Sequence, residues 1–241
     1  MEQGILFEND NSQSEKIEIP LHHVQQQFNW DCGLACVLMI LSDDQRQHFV
    51  EHFQEICAEE GFKTSVWTID LAYLLKRFSI EHVYCTLTLG VDPGYSDDHY
   101  YTHVVPMDKG RVVKRFQSSL DNELVIEQRH VDLKDVLVHL QAGNVCIALV
   151  NSNLLECFDC KTPLLQSAMC RMFPANCFKT EVSYNGHFIV LCGYDLKTKR
   201  ILYRNPSYHE RICSTSFEAF EATRCSYGTD EDIIFIKKKP S

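Results

Sequence analysis

The 241-residue sequence predicts an α+β fold, because helical patterns dominate its first half and strand patterns its second. Apolar residues recur every three or four positions within residues 45–78, which is the spacing of amphipathic helices. Apolar runs at residues 187–194 and 200–204, joined by a short polar turn, are typical of a buried hairpin. The hydrophobic content of 45% is sufficient for one sizeable core.

The predicted elements of the first half follow a polar, flexible arm at residues 1–18. Residues 34–41 are apolar without interruption and come directly after a polar turn at residues 29–33. We therefore expect a buried helix there, with Asp31 near its N-terminus. Further along the chain, the patterns predict helices over 45–60 and 68–78, a strand over 82–89 and a long surface loop over 90–101.

The predicted elements of the second half are mostly strands, which we expect to form an antiparallel sheet. A short helix is expected at residues 133–140, ended near Gly143. The patterns then predict strands over 145–150, 187–194, 200–204 and 232–237, with one helix over 216–223. Residues 151–186 show little periodicity and hold four cysteines, so we interpret residues 19–241 as a single domain that carries a Cys-rich insert.

The composition limits the kinds of partner. Lys and Arg number 23 against 33 Asp and Glu, which gives a net charge of -10. This acidic balance disfavours binding to nucleic acid or to an anionic membrane surface, both of which require cations. The polar N-terminal segment has no signal-peptide pattern, and no stretch is long and apolar enough to predict a transmembrane helix. We therefore expect a protein of the cytoplasm, and a nuclear location is compatible with the same observations. In that reducing compartment the 12 cysteines are expected to be thiols or metal ligands.

A cysteine nucleophile is predicted at Cys32. Thiol catalysis needs the thiolate, so the pKa must fall below the free value of about 8.5. The N-terminus of a helix and an adjacent imidazole both favour the thiolate, and Cys32 stands where the predicted helix begins. Gly33 leaves room for close approach of backbone or substrate. The glutamines at 25–27 offer a side-chain donor for an oxyanion.

The base and its orienting partner are predicted in the second half. His187 opens an apolar strand and is expected to project from the end of that strand across a cleft. Asn205 follows the next strand, and its side-chain oxygen can accept from the imidazole and fix the tautomer, as the third member of a triad does. Taken singly, the three residues also fit a core thiol, a strand histidine and a turn residue. Their combination favours a triad.

Two segments carry a resemblance to a known fold. Residues 26–36 (Gln-Gln-Phe-Asn-Trp-Asp-Cys-Gly-Leu-Ala-Cys) and 186–195 (Gly-His-Phe-Ile-Val-Leu-Cys-Gly-Tyr-Asp) resemble the cysteine and histidine segments of C39-like peptidases, a branch of the papain fold. That resemblance implies a papain-like fold, and it selects Gln26 as the oxyanion glutamine. Asn205 stands where these peptidases commonly have Asp, a difference that weakens the transfer of a peptide-cleaving role.

A closer resemblance covers nearly the whole chain from about residue 19. Residues 29–36, 67–74 (Trp-Thr-Ile-Asp-Leu-Ala-Tyr-Leu) and 226–233 (Ser-Tyr-Gly-Thr-Asp-Glu-Asp-Ile) are similar to the eukaryotic guanylylate cyclase domain-containing family. The name of that family implies formation of cyclic GMP from GTP, with Mg²⁺ as cofactor. The acidic loop with Asp92, Asp97 and Asp98 is the candidate Mg²⁺ ligand set, although acidic loops are more often only solvated.

Three functions from different classes remain open. The first is a papain-like cysteine hydrolase acting on a peptide, amide or thioester, which needs no cofactor for catalysis. The second is a guanylate cyclase that binds GTP and Mg²⁺. The third is a catalytically silent protein that keeps the fold and binds protein partners.

A zinc site is predicted in the Cys-rich insert. Cys157 and Cys160 form a C-x-x-C motif, and Cys170 and Cys177 follow in the same irregular segment. Four thiolates can close a tetrahedral Zn²⁺ site, which would give shape to a segment that has no core of its own. A loop with scattered cysteines and a redox pair at Cys157 and Cys160 are the alternatives.

Overall fold

The computed structural model describes residues 14–92, 94, 105–160 and 183–237. Its helices are α1 (Cys32–Ile40), α2 (Asp43–Glu51), α3 (Phe53–Glu60), α4 (Thr68–Arg77), α5 (Val105–Gln117), α6 (Leu133–Gln141) and α7 (Phe217–Arg224). Its strands are β1 (Lys16–Glu18), β2 (His82–Thr86), β3 (Ile126–Gln128), β4 (Val145–Asn151), β5 (Gly186–Asp195), β6 (Arg200–Arg204), β7 (Cys213–Ser216) and β8 (Ile233–Ile236). The predicted α+β class is confirmed.

The strands form one mixed sheet in the order β3-β2-β8-β4-β5-β6-β7, with β1 pairing β5 outside this path. The strand β5 is central to the arrangement. Its residues 186–191 pair with β4, residues 190–195 pair with β6, and residues 193–195 also pair with β1. Residues 186–189 therefore have a strand partner on one side only. This open end of β5 carries His187.

The approach of β1 depends on Gly193. A Cβ atom at this position would collide with the carbonyl oxygen of Ile17 on β1. The register of β5 against β6 also shifts between Leu191 and Gly193, which marks an irregularity at the same point. A glycine here is what lets three strands meet on β5.

Helices cover the sheet and join its core. The helix α1 packs against β5 and α4, and α4 packs in turn against β2 and α5. Buried apolar side chains of α1, α4 and β5 belong to one continuous cluster that also takes in β4 and β8. Within the described ranges, no helix combines the length and apolar character that crossing a bilayer requires.

Two predicted boundaries were wrong. The flexible arm was predicted to extend to residue 18, but residues 16–18 form β1 and pair with β5. Residues 1–13 lie outside the described part of the chain. The single helix predicted over residues 45–60 is two helices, α2 and α3, that meet at His52. His52 has φ -110° and ψ 23°, outside helical values, yet apolar spacing continues through it. Periodicity therefore did not reveal the break.

The strands of the second half, β4 to β8, pair antiparallel with one another, as predicted for that half of the chain. The strands β2 and β3 run parallel, and both come from the first half of the chain. The strand predicted over residues 232–237 exists as β8 and lies inside the sheet, between β2 and β4. The loop predicted over residues 90–101 falls largely outside the described residues, at 93 and 95–101.

The helix α5 was not predicted, although its buried Val105, Asp108 and Val112 are spaced along one helical face. Its Arg111 and Arg115 form ion pairs with the fully buried carboxylate of Asp70 on α4, at N–O distances of 3.0 and 3.1 Å. Helix α5 is thus held by ion pairs as well as by the buried side chains of Val105 and Val112.

Candidate active site

The helix α1 places Cys32 at its first turn. The carbonyl of Asp31 accepts the backbone N–H of Ala35 at 2.9 Å, so the helix begins with Cys32 as predicted. A Cβ atom at Gly33 would lie 3.0 Å from side-chain carbons of both Leu71 and Phe188. The space that we expected a substrate or backbone to use is therefore taken by these two side chains. They hold the start of α1 close to α4 and β5.

The Cys32 thiol is in its protonated form at neutral pH. Its residue is only 7% exposed, and burial raises the pKa of the thiol to about 11. The backbone amides of Phe188 and Gly33 oppose this shift without reversing it. The helix N-terminus alone is thus too weak to produce a thiolate in this buried position.

His187 and Asn205 form the predicted pair. The distance between His187 Nε2 and Asn205 Oδ1 is 2.9 Å, and both side chains are buried. The backbone N–H of Ser207 also donates to Asn205 Oδ1, at 3.0 Å, which identifies this atom as the amide oxygen. Because an amide oxygen only accepts, Nε2 of His187 must carry the proton, and Nδ1 is left as the basic nitrogen.

Burial also sets the charge of the imidazole. It lowers the pKa of His187 below its ordinary value of 6.5, while the hydrogen bond to Asn205 acts in the opposite direction. His187 is therefore neutral at pH 7. Among the residues that the structure describes, no hydrogen bond joins Cys32 to His187, so the resting pair is a neutral thiol and a neutral imidazole.

Gln26 reaches the same site through Ser207. The Ser207 hydroxyl donates to Gln26 Oε1 at 2.8 Å and lies 3.5 Å from His187 Nε2. The backbone N–H of Gln26 donates to the carbonyl of Pro206 at 2.9 Å. The side-chain amide nitrogen of Gln26 donates to the carbonyl of Phe28 at 2.7 Å, which leaves its second N–H for another acceptor.

Asp31 orders the loop between Gln26 and Cys32. Its two carboxylate oxygens accept the backbone N–H groups of Gln27, at 3.1 Å, and Phe28, at 3.0 Å. Its side chain makes no capping hydrogen bond to α1, so its role differs from the one that its position predicted. The sequence did not identify Ser207 either. Its only signal was the Asn-x-Ser spacing typical of a side-chain-bonded turn.

The predicted metal ligands are placed in part. The sulfur atoms of Cys157 and Cys160 lie within 4.8 Å of each other and of Cys213, at the start of β7. Cys170 and Cys177 lie outside the described residues, and their role stays a prediction. The sequence did not identify Cys213 because 53 positions separate it from Cys160.

A cavity of about 530 Å³ lies elsewhere, between α3, α4 and α5. None of the predicted catalytic residues lines this cavity. Its lining includes four cationic side chains, those of Lys63, Arg111, Lys114 and Arg115. Its carboxylates are already ion-paired, since Glu60 meets Arg115 at 2.6 Å and Asp108 meets Arg111 at 3.3 Å.

Two comparisons with known proteins, one with a family model and one with a relative, indicate the same family. A family model described as guanylylate cyclase matches residues 21–236. Guanylyl cyclase 1 from Arabidopsis thaliana is 35% identical over 228 residues, which cover 92% of this chain and 77% of that protein. A solved structure of a putative C39-like peptidase from Bacillus anthracis is 16% identical to this chain, with a TM-score of 0.31. The match covers 55% of this chain and 60% of the peptidase chain, which is less than two thirds of the length of the peptidase. That score is too low to assign a fold, so the papain-like fold stays a prediction.

Proposed function

The chain belongs to the guanylylate cyclase family, and we propose that it acts as a papain-like cysteine hydrolase on an amide, ester or thioester. The observation that carries this proposal is the hydrogen bond of 2.9 Å from His187 Nε2 to Asn205 Oδ1. It leaves Nδ1 of His187 as a base on β5, the strand against which the helix of Cys32 packs.

The reaction follows from these roles. Nδ1 of His187 takes the thiol proton of Cys32, and the sulfur attacks the substrate carbonyl carbon. The free N–H of the Gln26 amide and the backbone N–H of Cys32 stabilise the oxyanion. The imidazolium then protonates the leaving group, which departs and leaves a thioester on Cys32. Water, deprotonated by His187, hydrolyses that thioester and restores the thiol.

The proposed resting state is inactive. With a pKa of about 11, ionising the Cys32 thiol at pH 7 costs about 5 kcal/mol before any compensation. A thiolate and an imidazolium in contact would offset that cost, but Cys32 and His187 share no hydrogen bond in the described residues. We therefore propose that substrate binding brings the two side chains together.

The test is turnover of a panel of peptide amides and acyl thioesters, with detection of an acyl group on the Cys32 peptide by mass spectrometry. We expect turnover in the wild type and its loss in Cys32→Ala. Cys36→Ala is the matched control, because Cys36 is buried on the same helix. Equal rates in the wild type and Cys32→Ala across the panel would refute the hydrolase proposal.

The second candidate is a guanylate cyclase, in which the 3′-hydroxyl of GTP attacks the α-phosphate and releases pyrophosphate. The description of the family and the name of the Arabidopsis relative favour it. Arg111 and Arg115 of the 530 Å³ cavity are already paired with carboxylates, so Lys63 and Lys114 are the cations that a triphosphate would meet there.

Such a cyclase is expected to use Mg²⁺, and two of its predicted ligands, Asp97 and Asp98, lie outside the described residues. In the parts of the chain that the structure describes, the cysteine trio is the sole grouping of three or more His, Cys, Asp or Glu ligand atoms. The cavity carboxylates are also engaged by arginines. Measurement of cyclic GMP from GTP in the wild type, Cys32→Ala and Lys114→Ala separates the candidates. A cyclase at the cavity would lose activity in Lys114→Ala and keep it in Cys32→Ala.

A further inference from the structure

Three cysteines from distant parts of the chain meet beside the hairpin of β6 and β7. Cys157 and Cys160 follow β4, and Cys213 begins β7. All three sulfur atoms lie within 4.8 Å of one another, and the sulfurs of Cys160 and Cys213 are 3.6 Å apart. The proposed hydrolase reaction uses none of these thiols.

The spacing of the sulfurs suits one metal ion. Zinc–thiolate bonds of about 2.3 Å place the sulfurs of a tetrahedral site about 3.8 Å apart. The observed separation of 3.6 Å between Cys160 and Cys213 is close to that edge length. A disulfide needs a separation of about 2.05 Å and joins only two of three sulfurs. The arrangement around a shared centre therefore favours a metal over a redox pair.

Polar groups surround the cluster and donate to its sulfur atoms. The backbone N–H of Cys160 donates to the sulfur of Cys157 at 3.3 Å, and the guanidinium of Arg211 donates to the sulfur of Cys160 at 3.2 Å. The buried hydroxyl of Tyr203 lies beside the sulfur of Cys157, and β-sheet pairing places Tyr203 opposite Cys213. Three thiolates with Zn²⁺ carry one net negative charge, which Arg211 neutralises.

The segment that carries Cys157 and Cys160 is docked on β7 by its own hydrogen bonds. The backbone N–H of Phe158 donates to the carbonyl of Ser214 at 2.9 Å. The hydroxyl of Ser214 donates to the carboxylate of Asp159 at 2.7 Å. The guanidinium of Arg200 lies over the ring of Phe158, with the Cζ atom of Arg200 4.0 Å from the ring centroid. These contacts hold the three thiols in a fixed arrangement.

We propose that Cys157, Cys160 and Cys213 bind one structural Zn²⁺ ion. Each thiol gives its proton to solvent as it binds the metal. In the ranges described, no fourth His, Cys, Asp or Glu lies close enough to join the three cysteines. Water or another donor would therefore occupy the fourth coordination position of the ion. The ion ties the start of the Cys-rich insert to β7. It also fixes one end of the 205–212 loop, whose other end is Asn205. This role does not depend on the hydrolase proposal.

The first test is the metal content of full-length protein, expressed with added zinc and purified without chelator. We expect about one Zn²⁺ per chain by elemental analysis. Exchange for Co²⁺ should give a thiolate-to-cobalt charge-transfer band in the near ultraviolet, whose intensity reports the number of cobalt–sulfur bonds. Metal content below about one tenth of an equivalent, or a Co²⁺ spectrum without that band, would overturn the proposal.

Variants then identify the ligands. Cys213→Ser and Cys160→Ser should each lower zinc affinity at least about tenfold, whereas Cys225→Ser should keep it, since Cys225 is exposed and outside the cluster. Equal affinity in all three variants would overturn the assignment. Should a variant fail to fold, alkylation of the wild type decides instead. Cys157, Cys160 and Cys213 should become reactive only after chelation, and a disulfide between any two of them would count against zinc.

Discussion

His187 Nε2 lies 2.9 Å from Asn205 Oδ1, and the two residues are 9% and 6% exposed. Removing the acceptor therefore leaves a buried donor without a partner, which costs about 1–3 kcal/mol. We expect Asn205→Ala to lower the free energy of unfolding by that amount in urea denaturation. Asn205→Asp keeps an acceptor and adds a negative charge, so it should raise the pKa of His187, measured by NMR titration. An unchanged pKa in Asn205→Asp would contradict the observed bond.

The pH dependence of stability should carry a contribution from His187. Burial lowers its folded-state pKa below the unfolded value of 6.5, so the unfolded state binds more protons below that pH. The contribution is present above pH 6.5 and is lost as pH falls through the folded pKa. His82 and His139 shift in the same direction. We expect His187→Gln to lose less stability than the wild type between pH 7 and pH 5, measured by urea unfolding. Parallel curves would refute this.

Gly33 should be intolerant of a methyl group. Its added Cβ would lie 3.0 Å from side-chain carbons of Leu71 and Phe188, so the packing of α1 must shift. Such overpacking costs about 1–3 kcal/mol, and we expect Gly33→Ala to be destabilised by that amount in thermal or urea unfolding.

Gly110 provides the matched control. It lies within α5, and an added Cβ would have no heavy atom within 4 Å. Because alanine is the better helix former, Gly110→Ala should be stabilised by about 0.5–1 kcal/mol. If Gly33→Ala and Gly110→Ala changed the free energy of unfolding in the same direction, Gly33 would not be packed as described.

Asp31 should control the order of the loop before Cys32. Its carboxylate accepts the backbone N–H groups of Gln27 and Phe28, one on each oxygen. Asp31→Ala removes both acceptors, so we expect faster hydrogen exchange at these two amides and a lower free energy of unfolding. Asp31→Asn keeps one oxygen and should protect one of them. Exchange rates equal to those of the wild type in Asp31→Ala would contradict this role.

Local sequence patterns were sufficient for most of the elements and for the candidate residues of the site. The apolar run after Asp31 predicted α1, and the runs around the turn at 195–199 predicted the pairing of β5 with β6. Burial drives both patterns, and burial leaves a local trace in the sequence. His187 and Asn205 were predicted as partners for the same reason, since each stands at the end of a recognisable strand.

Only the tertiary structure decided what depends on contacts between distant segments. Ser207 joins Gln26 to His187, Arg111 and Arg115 pair with Asp70, and Cys213 completes the cysteine trio. The ionisation of Cys32 belongs to the same group, because its pKa is set by how deeply α1 is packed rather than by its neighbours in sequence. Hydrogen bonds, ion pairs and desolvation act through space, so the order of residues along the chain determined the strands and helices but not which polar groups they would bring together.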